Sequence, residues 1–167
     1  MTNEVIIRHA TTQDIRTIHN LAHQIWPITY GDTIEPVKLQ YMLQLIYHPD
    51  SLKEQMVQQQ HLFLMADIAG ASVGFASFSG TDKEAVYKLH KLYVKTDLQG
   101  MGLGKALTAA VIQEIKPMGA KFLLLNVYRL NKAKAFYEKL GFEVIKEEDV
   151  DIGHGYYMND YVMQKKL

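Results

Sequence analysis

The apolar residues in the first third of the chain recur at the three- and four-residue spacing of one helix face. The residues that show this spacing are Ile15, Ile18, Leu21, Ala22 and Ile25. Thr11 provides an N-cap for this helix, because its side chain can accept a hydrogen bond from an unpaired backbone N–H. Pro27 cannot donate a helical hydrogen bond, so we expect the helix to stop or bend there and a loop to cover 26–32.

The remaining pattern predicts a chain that alternates between strands and helices. We expect strands over 5–8, 61–67, 72–78, 86–94, 122–127, 142–146 and 156–164. We expect helices over 37–46, 52–59, 106–115 and 132–139, and an acidic loop over 147–155. Residues 68–71 are typical of a hairpin turn. The order βαα(α)-βββ-α-β-α-ββ, in which the short helix over 52–59 is optional, has no repeat or linker and predicts one α/β (α+β) domain over 1–167.

The composition excludes several classes of function. The formal net charge is +0, so there is no bulk electrostatic attraction to nucleic acid or to an anionic membrane. The chain has Cys 0, which removes disulfides and cysteine nucleophiles. We expect no metal site, because His19 and His23 stand one helical turn apart without a third ligand. No apolar run approaches the roughly 20 residues of a membrane span, and no signal peptide is evident, so we expect a cytoplasmic protein.

A glycine-rich run is the most informative chemical feature of the sequence. Its residues are Gln99, Gly100, Met101, Gly102, Leu103, Gly104 and Lys105. It lies between a predicted strand and a predicted helix, where exposed backbone N–H groups and the positive end of the helix dipole can bind a phosphate. Glycine permits the positive φ that such a turn needs and leaves room for the ligand. The run therefore predicts a phosphorylated ligand.

Two common nucleotide-binding motifs do not fit this run. A P-loop needs Gly-Lys followed by Ser or Thr, but Ala106 follows Lys105. A Rossmann fingerprint needs G-x-G-x-x-G near the first strand, whereas here Lys105 takes the place of the third glycine, beyond the middle of the chain.

The pattern Q/R-x-x-G-x-G/A, which does fit, resembles the acyl-CoA loop of the GCN5-related N-acetyltransferase (GNAT) superfamily. A second segment, from Asn131 through Tyr137 to Gly141-Phe142, resembles the later motif of that family, in the matching order. The resemblance runs from Val5 to Met163 and is strongest to small bacterial members of the PaiA-like and RimI-like type. It implies a mixed, mostly antiparallel sheet flanked by helices, with two central parallel strands that splay apart.

The resemblance also implies a reaction and a cofactor. Acetyl-CoA would donate its acetyl group directly to a primary amine, with CoA as product and without a metal. The pyrophosphate would bind the backbone of 100–105, and Gln99 belongs to the same motif. Leu92 and Val94 match positions whose backbone groups bind the pantetheine arm as if it were a strand.

Two side chains are candidates for proton transfer. Tyr137 matches the tyrosine that protonates the departing thiolate, and a phenol with an ordinary pKa near 10 suits that role. His90 stands four residues before Val94, where related amine acetyltransferases carry a base. In some of these enzymes the base is one of two paired histidines, and Lys88 occupies the position of the second histidine here. His90 or a water chain can therefore deprotonate the acceptor.

Two asparagines are candidate CoA contacts. Asn126 lies inside an apolar strand, where a polar side chain needs a hydrogen-bonding partner. Asn131 matches a family asparagine with an offset of one residue, and it is equally suited to be the N-cap of the following helix.

The acceptor site is expected to include Trp26 and Tyr30, in the region that forms acceptor walls in this superfamily. The acids in 147–151 could attract a cationic amine or form a solvated loop. A small amine or polyamine is the first acceptor class, and a peptide N-terminus or lysine is the second. The alternative function is a non-catalytic acyl-CoA sensor. Homodimers through the C-terminal strands are frequent in similar proteins, so a homodimer is a possible assembly.

Overall fold

The computed structural model describes residues 4–167 of the chain. In this part of the chain there are seven strands and five α-helices. The strands are β1 Val5–His9, β2 Leu62–Ile68, β3 Ala71–Gly80, β4 Val86–Val94, β5 Phe122–Tyr128, β6 Glu143–Gly153 and β7 Tyr156–Lys166. The helices are α1 Ile15–Tyr30, α2 Pro36–Tyr47, α3 Pro49–Val57, α4 Leu103–Ile115 and α5 Ala133–Lys139. The predicted order of strands and helices is confirmed.

The strands form one mixed sheet with the order β1-β2-β3-β4-β5-β7-β6. The β4–β5 pair is parallel, and the pairs β1–β2, β2–β3, β5–β7 and β6–β7 are antiparallel. The predicted α/β class is therefore confirmed. The described residues form two compact units, one of 4–79 with 91–111 and one of 80–90 with 112–167. That the whole chain is a single functional domain stays a prediction.

The first unit begins with a capped turn that leads into α1. Thr11 accepts a hydrogen bond from the Gln13 N–H (3.2 Å), and the Thr11 N–H donates to the Asp14 carboxylate (2.9 Å). Arg8 on β1 binds both Asp14 (2.9 Å) and Asp67 on β2 (2.7 Å). The Arg8 hydrogen bond lowers the pKa of Asp14, and the same contacts fix the start of α1 against the sheet.

The predicted loop over 26–32 is wrong, because α1 continues through Pro27 to Tyr30. Pro27 is solvent-exposed, so the carbonyl of His23, which loses its helical donor, lies on the side of the helix that water can reach. The Gly31 N–H still donates to the Pro27 carbonyl (3.0 Å). Trp26 and Tyr30, on the other side, are buried and hold this last turn in place.

The second unit contains the parallel pair and the C-terminal hairpin. β4 and β5 pair only from Val86↔Phe122 to Leu89↔Leu125 in the described chain, although both strands continue beyond that point. β5 then keeps its register with β7 to Tyr128↔Asp160. The predicted acidic loop over 147–155 is also wrong. These residues extend β6 to Gly153, and only a tight turn at His154 and Gly155 remains.

Candidate functional site

The glycine-rich run forms a turn between β4 and α4. A short 3₁₀ turn at Thr96–Leu98 follows β4, and the backbone then takes positive φ at Gly100 (89°) and Gly102 (80°). α4 begins at Leu103, three residues earlier than the sequence pattern predicts. Gly104 and Lys105 therefore belong to the first helical turn, and only Gly100 and Gly102 need the left-handed backbone of glycine.

The geometry of this turn fits an anionic ligand. A Cβ added at Gly100 or Gly102 would meet no atom within 4 Å, so the space beside the loop is open. The first helical hydrogen bond of α4 runs from the Ala106 N–H to the Gly102 carbonyl (2.9 Å), which leaves the preceding N–H groups without helical acceptors. The first turn of α4 contains no acidic residue that would repel a phosphate.

The C-terminal half of β4 lies directly before the loop and belongs to the same unit. Leu92 is half-buried and Val94 is buried. Beside them on β3, a Cβ added at Gly74 would lie 2.9 Å from the Tyr93 carbonyl, so the two strands are in close contact there. The Lys95 N–H donates to the Val73 carbonyl (2.9 Å). These contacts fix the strand whose backbone the resemblance assigns to the pantetheine arm.

Trp26 and Tyr30 lie together in an aromatic cluster under β4. Both are only 4% exposed. The Tyr30 hydroxyl is 2.9 Å from the Tyr93 hydroxyl, and the Trp26 ring centroid lies 5.6 Å from that of Tyr93. Sequence reasoning missed Tyr93. The signal was available, because successive side chains of a strand point to opposite faces, so Tyr93 must point away from the face that carries Leu92. The acceptor-binding role of Trp26 and Tyr30 stays a prediction.

Lys91 is buried on the same face of β4, and sequence reasoning missed it as well. It is 7% exposed, and its Nζ donates to Gln55 Oε1 on α3 at 2.6 Å. The Nζ also lies 5.8 Å from the ring centroid of Tyr47 and 5.4 Å from that of Phe63. Burial lowers the pKa of Lys91 to about 7. The signal in the sequence is a lysine on the otherwise apolar face that also carries Leu89 and Tyr93.

In the second unit, Asn126 joins two carboxylates. Its Nδ2 donates to Glu148 at 3.0 Å and to Asp160 at 3.2 Å. Burial raises the pKa of Asp160, and the nearby Glu148 charge adds to that effect. Lys88, Leu124, Asn126, Glu148 and others line a shallow cleft of about 210 Å³ on this face of the sheet. The polar side chain in the apolar strand thus has two protein partners.

His90 and Asn126 hold equivalent positions on their strands. Each follows directly after the last parallel pair, Leu89↔Leu125. His90 is half-buried, and strand alternation places it on the face that carries Lys88. The candidate base His90 therefore lies at the point where the pairing between β4 and β5 stops.

The predicted acidic segment splits between the two faces of β6. Glu147 and Asp149 lie on one face, where both bind Arg129. Glu148 lies on the opposite face with Asn126. Only Glu148 of these three therefore reaches the cleft described above.

Asn131 and Tyr137 occupy the segment around α5. The Asn131 Oδ1 accepts a hydrogen bond from the Ala133 N–H (2.9 Å), which is the capping contact expected of this residue. Tyr137 is 8% exposed, and its ring packs edge-on against Phe142 with centroids 5.7 Å apart. The CoA contact of Asn131 and the catalytic role of Tyr137 stay predictions.

Two kinds of feature are absent from residues 4–167. No helix there combines the length and the apolar character that crossing a bilayer requires. No group of three or more histidine, aspartate or glutamate side chains there is arranged to hold a metal ion.

Comparison with known proteins identifies the family of this chain. Residues 32–163 match the model of the acetyltransferase (GNAT) domain. A spermidine N(1)-acetyltransferase from Thermoplasma acidophilum is 27% identical over 165 residues, which cover 96% of each chain. A ribosomal protein bS18-alanine N-acetyltransferase from Haemophilus influenzae is 35% identical over 85 residues, which cover 51% of this chain and 53% of that one.

Solved structures agree with this assignment. The crystal structure of the PaiA N-acetyltransferase from Thermoplasma acidophilum in complex with coenzyme A has a TM-score of 0.84 and 26% sequence identity. The match covers 98% of this chain and 99% of that one. The resemblance drawn from the two sequence motifs is therefore confirmed.

The raised pKa of Asp160 predicts a specific pH dependence of stability. Because the folded state holds this proton more tightly than the unfolded state, stability is highest below the ordinary pKa of 3.8 and falls as the pH rises through the raised value. In the wild type, the melting temperature should therefore be lowered by this group at pH 7 compared with pH 4. Asp160→Asn should remove this contribution, so the difference in melting temperature between pH 4 and pH 7 should change from that of the wild type in favour of pH 7, as measured by thermal denaturation. Asp149→Asn, on the opposite face, is the control. Equal pH dependence in Asp160→Asn and the wild type would contradict this account.

Proposed function

Since the chain belongs to the GNAT acetyltransferase family, we propose that it transfers the acetyl group of acetyl-CoA to a primary amine in a ternary complex. The observation that carries the proposal is the turn at 99–102, with its two left-handed glycines before the N-terminus of α4. The first acceptor class is a small amine or polyamine, which the 27% identical spermidine acetyltransferase supports. A peptide or protein N-terminus or lysine is the second, supported by the bS18-alanine acetyltransferase.

The residues of the chain divide the chemistry among them. The N–H groups at the start of α4 would bind the pyrophosphate, and the backbone of Leu92 and Val94 would hold the pantetheine arm. His90 would accept a proton from the acceptor, directly or through water, because an ammonium group cannot attack a thioester. Tyr137 would donate a proton to the departing thiolate. No covalent enzyme intermediate is required.

A direct assay tests this function against the sensor alternative. The chain is incubated with acetyl-CoA and a panel of amines that includes a monoamine, a polyamine and a peptide with an N-terminal alanine. Release of free CoA is followed with a thiol reagent. Amine-dependent release supports the enzyme, whereas binding of acetyl-CoA without release for any amine would favour the sensor.

Acetyl-CoA should raise the melting temperature of the protein in a concentration-dependent way, and Gly102→Asp should abolish this shift. The new carboxylate would lie where the pyrophosphate is expected to bind. Gly70→Asp is a matched control, because Gly70 has the same φ of 80° and the same open surroundings in the β2–β3 turn. Both variants place a side chain at positive φ, which costs roughly 1–2 kcal/mol. Equal shifts in both variants would exclude the loop from the site.

Tyr137→Phe should lower turnover by roughly 10²-fold or more and leave the affinity for acetyl-CoA nearly unchanged, because an acid acts mainly in the transition state. Steady-state kinetics and ligand titration measure the two quantities. Tyr157→Phe, at an exposed position on β7, controls for the loss of a phenol. Unchanged turnover in Tyr137→Phe, with chemistry shown to limit the rate, would assign Tyr137 to packing.

His90 should determine the rising limb of the pH–rate profile. His90→Gln keeps hydrogen-bonding capacity but removes the basic group, so the variant should lose most activity near pH 7 and recover partly at high pH, where free amine is abundant. The measurement is kcat/KM for the amine between pH 6 and 10. A profile parallel to that of the wild type, only scaled down, would assign deprotonation to water.

A further inference from the structure

The buried ammonium group of Lys91 lies in a cage that contains no negative charge. In the described chain its one hydrogen-bond acceptor is the side-chain oxygen of Gln55, 2.6 Å away. The Gln55 amide is itself fixed, since its Nε2 donates to the Ile46 carbonyl at the end of α2 (2.9 Å). Lys91 thus connects β4 to α2 and α3 through one side chain. A buried lysine without a carboxylate partner is costly, so its presence calls for an explanation.

The position of Lys91 on β4 links this cage to the proposed cofactor site. Strand alternation points Lys91 into the cage and the neighbouring side chain of Leu92 to the opposite face. The backbone on the C-terminal side of Lys91, at 92–94, is the segment assigned above to the pantetheine arm, and the glycine turn follows within a few residues. A change in how Lys91 is held would therefore move the backbone that contacts the ligand.

We propose that Lys91 is a positioning residue, whose contact with Gln55 sets the cofactor-binding backbone of β4 and makes the affinity for acetyl-CoA depend on pH. The inference rests on the proposed function only for the identity of the ligand. A neutral Lys91 packs among the rings and keeps the contact with Gln55. Burial disfavours the protonated form of Lys91 in this cage, and its ammonium group would regain water only if β4 shifted from the position that the Gln55 contact holds.

Three groups contact the Lys91 ammonium, and none of them carries a charge at neutral pH: Gln55 on α3, Tyr47 on α2 and Phe63 on β2. Burial raises the pKa of Tyr47, so this phenol stays neutral. His61 lies close to the contact, because its backbone N–H donates to the Gln55 carbonyl (2.8 Å). Since a histidine can also titrate near neutral pH, the experiment needs a variant at this position.

The first experiment measures the dissociation constant of acetyl-CoA between pH 6 and 9 for the wild type, Lys91→Met and the control Lys53→Met, which changes an exposed lysine on α3. Affinity of the wild type should fall by roughly three- to ten-fold from pH 8 to pH 6, since a ligand that favours the neutral lysine shifts its titration. Lys91→Met should lose this dependence, and Lys53→Met should keep it. The phosphates of acetyl-CoA also titrate, but they affect the dissociation constant of all three proteins equally. Their effect therefore cancels when the pH dependence of a variant is compared with that of the wild type. His61→Gln should behave as the wild type.

A second variant keeps the lysine and changes its partner. Gln55→Glu places a carboxylate beside Nζ, which favours the charged form and should shift the pH dependence of affinity toward alkaline pH. A side chain that only fills space would show no such shift. An unchanged pH dependence in both Lys91→Met and Gln55→Glu, or its loss in His61→Gln alone, would overturn the proposal.

Stability without ligand gives a readout that does not depend on the proposed function. The folded-state pKa of Lys91, about 7, lies below the ordinary 10.5, so the unfolded chain binds more protons between these values and stability rises with pH in that window. Lys91→Met should flatten this rise in melting temperature. Absence of acetyl-CoA binding at every pH would reject the proposed function, whereas binding that is indifferent to Lys91 would reject only this inference.

Discussion

The alternation of side chains along β4 is the constraint on which the candidate site depends. One face of β4 packs against the core, and the opposite face carries the candidate base. Because the side chains alternate, each residue of the strand lies on only one of these faces. Lys91 and Tyr93 point to the aromatic cluster and the helices of the first unit. His90 and Leu92 point the other way. A shift of one residue along this strand would exchange the two sets of side chains. The close contact between Gly74 on β3 and the Tyr93 backbone helps to fix the position of β4, and with it the candidate site and the core.

The glycine turn depends on the same strand, because β4 determines where the loop begins. The left-handed backbone at Gly100 and Gly102 brings the chain into α4 with its first N–H groups unused by the helix. The sequence predicted that the helix starts at Ala106. In that case Gly104 would lie in the loop, as a third glycine beside Gly100 and Gly102. The observed start at Leu103 instead makes Gly104 and Lys105 part of the rigid helix end. The proposed phosphate site would therefore be more rigid than the spacing of the glycines alone indicates.

The sequence was sufficient for the features that depend on local periodicity, and insufficient for those that depend on distant partners. The limits of β4 were predicted to the residue, and two local motifs were enough to identify the family. Pro27 misled because its exposure, which makes it tolerable inside α1, depends on tertiary packing. The acids of β6 were misread as a loop because their partners are distant in sequence: Asn126 lies on β5, and Arg129 directly follows that strand. Lys91 was missed because a buried lysine contradicts its usual preference, and only the fold shows its contact with Gln55.

Burial acts on Lys91 and Asp160 in the same sense, because it favours the neutral form of each group. The consequences for stability have opposite signs along the pH scale. The burial of Asp160 costs stability once the pH rises through its raised pKa, whereas the burial of Lys91 costs most at and below pH 7 and less as the pH rises further. Around neutral pH, where amine acetylation is expected to operate, the cost of burying Lys91 is therefore close to its largest. Apolar replacements of similar size would avoid this cost. A role in function would explain why a buried group is present despite such a cost to stability.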